Sequence, residues 1–396
     1  MRVVINCEYR FSRTPDGGIW TETAFAYPYW EKYLKVFSEI VIFARVQNVS
    51  EIKEGAQSVI GPGVSLKFQS YYVGPLGYLK NRRHIRRQIA SALNPSDAVI
   101  IILPSPLALV LEASARRKKL PYGVEVMGDP WEVFGRYGVG HPLRVFFRYY
   151  LAWHQWRTIR RASAVCYVTQ NSLQKRYPAR EDAFSIGVSN IDLKSQQIAA
   201  HERTGKLSNE NEIFKLVSVG SLAQLYKGAD VMLRAMTHLQ NRARHFHLTW
   251  VGGGIYKDEM IKAAASLGIA DCVSFVGQVT AGDAIIARLD AADLFILPSR
   301  TEGLPRALIE AMARGLPAIG SRVGGIPELL EMDEMFESGD DRALANMIEA
   351  ISVDPHRQMM MSQRNLQKSR AFTVNRIDEQ KQKFLKAVHR ATPLLK

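Results

Sequence analysis

Short apolar runs alternate with amphipathic stretches along the whole chain. Residues 1–7, 40–44, 98–103 (A-V-I-I-I-L), 121–127 and 164–168 read as apolar runs. Such runs suit parallel strands covered on both faces. Between them, apolar positions recur at helical spacing in residues 19–37, 81–93, 106–119, 142–162 and 171–177. Residues 45–80 follow neither rhythm. The stretch 106–119 closes on Arg116-Arg117-Lys118-Lys119, cations matched to the negative end of a helix. Residues 193–212 are polar and read as a linker. The rhythm then restarts, with strands at 214–219, 246–251, 273–276, 294–297 and 318–319. Helices are predicted at 229–239, 256–267, 281–289 and 305–314, then at 340–353, 354–370 and 374–394. Two alternating series predict an α/β protein of two Rossmann-like, doubly wound parallel-sheet domains facing a cleft. Their expected bounds are 1–195 and 196–373. The last helix, within 374–396, follows no strand and is expected to pack back on the first domain.

One unit of the second series stands out. A strand at 293–298 (D-L-F-I-L-P) leads through S-R-T-E-G-L to Pro305, which suits a first helical position. Ala307, Leu308, Ala311 and Met312 then keep helical spacing until Gly315 and Pro317, and a buried strand follows at 316–319. The loop lies at the carboxyl end of a strand, where open α/β sheets bind ligands. The free N–H groups of the helix start suit a phosphate. Glu302 lies in the loop and Glu310 eight positions on, in the helix. Glu310 is also four residues from both Arg306 and Arg314, the spacing of a surface ion pair.

Other loops have similar potential. Gly220 and Ser221 follow the strand 214–219, and Lys227-Gly228 opens the next helix, where a lysine can meet a diphosphate. Gly252, Gly253 and Gly254 follow the next strand. Gly17-Gly18, between the strand 1–7 and the helix 19–37, forms either a tight turn or a close approach to a ligand. Gly128-Asp129-Pro130 follows the strand 121–127; Asp129 there is either a turn residue or a site residue. Neither G-x-G-x-x-G nor G-x-x-x-x-G-K-[ST] occurs, which counts against a nicotinamide dehydrogenase and a P-loop ATPase. None of the nine histidines has metal-ligand spacing, and no D-x-D is present.

Charge adds a surface. The chain of 396 residues has a formal charge of +14. Residues 1–195 hold 27 lysines and arginines against 15 acids, so the first half carries nearly all the excess. Such a half attracts anionic membranes, nucleic acids or phosphorylated substrates. The stretch 142–162 interleaves six aromatic residues with Arg144, Arg148, Arg157, Arg160 and Arg161. It reads either as a core helix with a solvated cationic edge or as a membrane-facing surface, to which Arg82, Arg83, Arg86 and Arg87 add. The second reading predicts peripheral membrane binding that weakens with salt. No apolar run is long enough to span a bilayer, the amino-terminal apolar run is short for a signal peptide, and three scattered cysteines suggest a reducing compartment. A nucleic-acid binder is suggested by charge alone and lacks a recognised motif.

Taken together, G-S-L-A-Q-L-Y-K-G-A-D (220–230), F-V-G-Q-V (275–279), A-A-D-L-F-I-L-P-S (291–299), E-G-L-P-R-A-L-I-E-A-M-A-R-G-L-P (302–317) and G-G-I-P-E-L (324–329) form a resemblance. Over roughly 214–330 the chain resembles the retaining glycosyltransferases of the GT-B fold, family 4 (glycosyl transferases group 1), with their glutamates eight apart. The resemblance implies metal-independent, retaining transfer of a sugar, of the hexosyltransferase type. The donor is a nucleotide-diphosphate sugar and the acceptor a glycan or lipid-linked molecule. No cofactor or nucleic acid is implied. The implied setting is polysaccharide or glycolipid synthesis in the cytoplasm, at the cytosolic membrane face. The first domain would take the acceptor and the second the donor. Glu310 would bind the ribose hydroxyls, and Glu302 would lie by the donor sugar. Backbone at Gly303, Leu304, Pro305, Arg306 and Ala307 would hold sugar or phosphate oxygens. Lys227 would neutralise the diphosphate, Gly17 and Gly18 would approach it from the first domain, and Gly277 to Val279 would meet the base. The chain departs from the pattern twice. Ser221 stands where the family has an arginine, whose charge either Arg306 or an arginine of the first domain would supply. Asp129 stands where many relatives have a histidine, and would take part of its role. A sugar-nucleotide epimerase of the same architecture is the alternative; it would need no acceptor site.

Overall fold

The computed structural model describes residues 1–53, 55–69, 71–135, 141–191, 193–205, 212–240, 242, 244–279 and 282–393. It divides into two units. One holds Met1–Trp131, Phe146–Val188 and the chain from Asp378 on; the other holds Glu132–Val145 and Ser189–Ile377.

The first unit is built on one sheet. Its path runs Gln57–Ser58, Ile19–Thr21, Arg2–Arg13, Ala98–Leu103, Gly123–Val126, Ala164–Tyr167 and Phe184–Gly187, with Glu39–Asn48 and then Val64–Gln69 branching from Arg2–Arg13. All pairs are parallel except the two involving Ile19–Thr21. The strands Ala98–Leu103, Gly123–Val126 and Ala164–Tyr167 are almost wholly buried. The helices follow the apolar spacing: Pro106–Arg117 is capped by Ser105, whose hydroxyl accepts from the Ala108 N–H, and Arg144–Ile159 fills most of 142–162.

Two expectations fail here. The helix expected over 19–37 is only Tyr27–Leu34. The first strand runs on to Arg13 and folds back through a turn closed by the Gly17 N–H on Thr14 O, 2.9 Å. Ile19 and Thr21 are buried and Trp20 is less so, a period of two that is too short to outweigh the helical pattern after it. Residues 45–80 also contain Val64–Gln69 and the first turns of the helix Gly74–Ala92. The edge strand Phe184–Gly187 was missed because it is half exposed and only four residues long.

The second unit is a parallel sheet in the order Val273–Gly277, Phe246–Val251, Phe214–Val219, Leu294–Leu297, Ala318–Ser321, Met335–Phe336. The order turns between Phe214–Val219 and Leu294–Leu297, which makes their carboxyl ends the switch point where such sheets bind ligands. Leu294–Leu297 is fully buried. Phe214, Leu248, Trp250 and Ile296 fill the core. The helices Ala229–Leu239 and Lys257–Ser266 pack on the sheet, and Asp341–Ser352 packs on Ala229–Leu239.

The helix Val374–Ala391 enters the first unit from Asp378 on. Phe384 and Val388 sit over Gly123, where a Cβ would stand 2.3 Å from Val388. Lys381 Nζ meets Glu125 Oε2 at 2.6 Å with both side chains buried. The Tyr33 hydroxyl donates to the same carboxylate at 2.9 and 3.1 Å. Breaking a buried pair on one side strands a charge, at a cost of roughly 3–5 kcal/mol. Lys381→Met is expected to lower the unfolding free energy of the protein by that order, read as an earlier transition in urea. Adding Glu125→Gln to it should recover most of the loss, since the stranded charge is then gone.

Candidate active site

The site is built at the switch point of the second unit. The turn Leu225–Lys227 follows the strand Phe214–Val219, and the loop from Pro298 follows Leu294–Leu297. Gly228 has φ +77°, and a Cβ there would stand 2.0 Å from Pro298 O. Only glycine lets the turn lie this close to the strand end. Gly324 does the same from the other side: φ is +53°, and a Cβ would stand 1.9 Å from Glu302 O. Between these two approaches the Glu302 carboxylate is fixed. Its Oε1 accepts from Lys227 Nζ at 2.6 Å and from the Ser299 hydroxyl at 2.6 Å. Ser299 is fully buried. The structure thus joins two residues 75 positions apart.

Arg300 is a residue that sequence reasoning passed over. It lies almost buried and grips Asp230 with two bonds of 2.7 and 2.6 Å. Its Nη1 also donates to Leu225 O at 2.8 Å, and its N–H to Tyr226 O at 2.7 Å. It therefore ties the Lys227 turn to the Glu302 loop. Burial opposes ionisation of Asp230, but Arg300 and then Arg234 outweigh it and hold the carboxyl below its ordinary range. Nothing in the sequence marks Arg300, because its partner lies on a different strand–helix unit.

The helix begins at Arg306, so Pro305 sits one residue ahead of it rather than inside. The N–H groups of its first turn have no carbonyl one turn back. Arg306 is exposed there. Glu310 faces a different situation from the surface ion pair that its spacing allowed. Arg314 is taken by Asp290, at 2.7 and 3.0 Å, and by Gln197 O at 3.0 Å. Glu310 has no hydrogen-bond or ion-pair partner among the described residues and is partly buried. Burial pushes its carboxyl above the ordinary range, with Arg306 pulling back. A desolvated carboxylate without donors is suited to accept them from a ligand.

Gly277, with φ +77°, ends its strand, and its carbonyl accepts from the Gly252 N–H at 2.8 Å. Val279 follows two residues on. Lys257 Nζ stands 3.3 Å from where a Gly277 Cβ would be. Ser221 is exposed and serves its own turn: its hydroxyl accepts from the Ala223 N–H at 3.2 Å. It brings no charge in place of the family's arginine.

The residues named in the first unit lie in their own surroundings. Gly17 and Gly18 form the hairpin turn, where the Asp16 carboxylate accepts from the Gly18 N–H at 3.2 Å. Asp129 accepts from the Trp131 N–H at 2.8 Å and the Tyr177 hydroxyl at 2.6 Å, and pairs with Arg176. Burial and then the Asp129 charge raise the Tyr177 phenol. In this conformation the Asp129 carboxylate is engaged on both oxygens.

Two parallel-sheet α/β units with this order define the GT-B fold. The chain superposes on sucrose-phosphate synthase from Thermosynechococcus elongatus with a TM-score of 0.71 at 15% identity, over 99% of this chain and 100% of that one. Residues 213–354 match the family model described as Glycosyl transferases group 1. The chain carries a domain of that family, and the protein is a glycosyltransferase. Among relatives, Protein CapJ of Staphylococcus aureus is 27% identical over 82% of this chain and 80% of its own length. A GDP-mannose-dependent alpha-(1-6)-phosphatidylinositol monomannoside mannosyltransferase of Mycobacterium tuberculosis is 34% identical, over 32% of this chain and 34% of its own length. That match spans only about a third of either protein.

Glu310 yields a test of the site. Its raised carboxyl binds a proton more tightly folded than unfolded, so it favours the folded state at low pH. That contribution is lost as pH rises through the folded value. Glu310→Gln is therefore expected to raise the Tm of the free protein at neutral pH and to abolish nucleotide binding. Wild-type nucleotide affinity should fall as pH drops into the range just above ordinary glutamate values, since only the anion accepts two hydroxyls. Calorimetry and thermal melts across pH check both.

Proposed function

We propose that the protein transfers a sugar from a nucleotide-diphosphate sugar to a glycan or lipid-linked acceptor in polysaccharide or glycolipid synthesis, with retention at the anomeric carbon and without a metal. The observation that carries this is the paired Lys227 and Glu302 beside a helix start and an unpartnered Glu310. The mycobacterial relative, named as a GDP-mannose-dependent phosphatidylinositol monomannoside mannosyltransferase, supports the class of substrates.

Glu310 takes the ribose hydroxyls, and the nucleotide then runs towards the helix start. The diphosphate meets the N–H groups of Gly303 and Leu304 in the loop and of Arg306 and Ala307 in the first turn, with Arg306 exposed beside it. As the bond from the anomeric carbon to the phosphate oxygen breaks, negative charge collects on the diphosphate. Lys227 and the N–H groups are already placed to receive it. The acceptor oxygen bonds the anomeric carbon, and its proton leaves to the solvent or the released phosphate. Glu302 accepts from Lys227 and Ser299, so it aims the ammonium and presents its second oxygen to the donor sugar. The reading without a metal rests on these cations and dipoles as the positive groups, and the retaining one on the resemblance of the paired-glutamate region.

Lys227→Ala is expected to lower kcat by about 10²–10³ while changing KM less, the signature of a charge met mainly in the transition state. Turnover by the wild type should survive excess EDTA, and proton NMR of the first product should show the donor's anomeric configuration. Arg306→Ala with unaltered turnover would remove Arg306 as the substitute for the missing arginine. The donor base is found by thermal shift over a set of nucleotide sugars, where a ligand at 100 times its Kd adds about 2.7 kcal/mol.

A further inference from the structure

The helix Arg144–Ile159 buries Ile159 in the core but leaves most of its aromatic residues outside. The residues it buries include His154, Gln155 and Thr158. Gln155 Nε2 donates to Gly128 O at 3.0 Å, and Thr158 Oγ1 lies 3.1 Å from His154 Nδ1. The residues it exposes are Phe146, Tyr149, Tyr150, Trp153 and Trp156, each between 41% and 60% exposed. Their spacing puts them on one stripe. Phe146 stacks on Tyr150 with centroids 5.7 Å apart, and Arg157 and Arg160 lie over Trp153 and Trp156 at 5.4 and 6.0 Å. A helix facing water on that side would place these groups the other way round.

The neighbouring helix Gly74–Ala92 extends the face. Its Tyr78 lies within electrostatic range of Tyr150. Leu76 and Leu79 are exposed, as are Arg82, Arg83 and Arg87. Neither helix contains an acidic residue. Among the described residues, Arg82, Arg83, Arg86, Arg87, Arg157 and Arg160 have no carboxylate partner.

We propose that this face docks on the surface of an anionic lipid bilayer, with the aromatic row at the headgroup level and the arginines on the lipid phosphates. Rings with one polar edge and cations on flexible stems suit that boundary. A nucleic acid would use the ring faces for stacking, and Arg157 and Arg160 already cover two of them. A second copy of the chain would have to bring an acidic surface. The apolar part changes the electrostatic expectation: salt weakens the binding but leaves a residue of it. The inference stands apart from the donor site, because it needs neither Lys227 nor Glu310.

The test is flotation of the full chain with vesicles of phosphatidylcholine, alone and with phosphatidylglycerol added, in the absence of any nucleotide. Binding to the anionic vesicles is expected, with brominated lipid quenching the tryptophan fluorescence. Trp153→Ser with Trp156→Ser should remove most of the quenching and the salt-resistant binding. Arg82→Gln, Arg83→Gln and Arg87→Gln should each weaken binding on the order of fivefold. All five positions are exposed, so melting curves should match the wild type. Absence of vesicle binding, or tryptophan variants that bind like the wild type, would overturn the proposal. So would a dimer in gel filtration that these variants dissolve, or RNA binding lost with the arginines while vesicle binding never appears.

Discussion

The site depends on how closely backbone can approach backbone around one ion pair. Lys227 and Glu302 come from different strand–helix units and meet at 2.6 Å. A flexible lysine is held there only because the turn behind it is pressed against a strand end at Gly228 and the loop bearing the glutamate is pressed against Gly324. Arg300, gripping Asp230 and two carbonyl groups of the turn, locks the two pieces together. In the proposed reaction, the positive charge for a leaving diphosphate would be in place before the ligand arrives.

Glu310 represents the opposite arrangement. Its carboxylate is partly buried, raised in pKa and without donors. The free protein bears that cost, which in the proposed function a ligand bearing hydroxyls would relieve. The two glutamates eight positions apart therefore play different parts. One is satisfied within the fold and holds a cation; the other has no partner among the described residues. A similar division runs through the first unit. The buried Glu125 has Tyr33 and Lys381 as partners and fastens the helix Val374–Ala391, whereas among the described residues the arginines of the two basic helices have no carboxylate partner.

Much of the fold was legible because parallel strands are continuous apolar runs. Ala98–Leu103, Leu294–Leu297 and the helices after them fall within a residue or two of their predicted places. The failures have a common cause. Ile19–Thr21, Val64–Gln69 and Phe184–Gly187 lie towards the edges of a sheet, are three to six residues long, and owe their form to a neighbouring strand. Of the site, the glutamate pair and Lys227 could be picked out by motif, but not their relation to one another. Arg300 carried no local signal at all.

The sequence by itself determined the two α/β series, the loop at the carboxyl end of Leu294–Leu297, the surplus of cations in the first half and the resemblance to a glycosyltransferase family. Periodicity and motif are local properties, and they are written in neighbouring residues. Only the tertiary structure decided that Arg314 turns to Asp290 and leaves Glu310 unpaired, that Ser299 and Lys227 converge on Glu302, and that the helix Arg144–Ile159 buries His154, Gln155 and Thr158 while most of its rings stay exposed. Each of these is a competition between partners far apart in the chain, settled by which side chain the packing brings within reach.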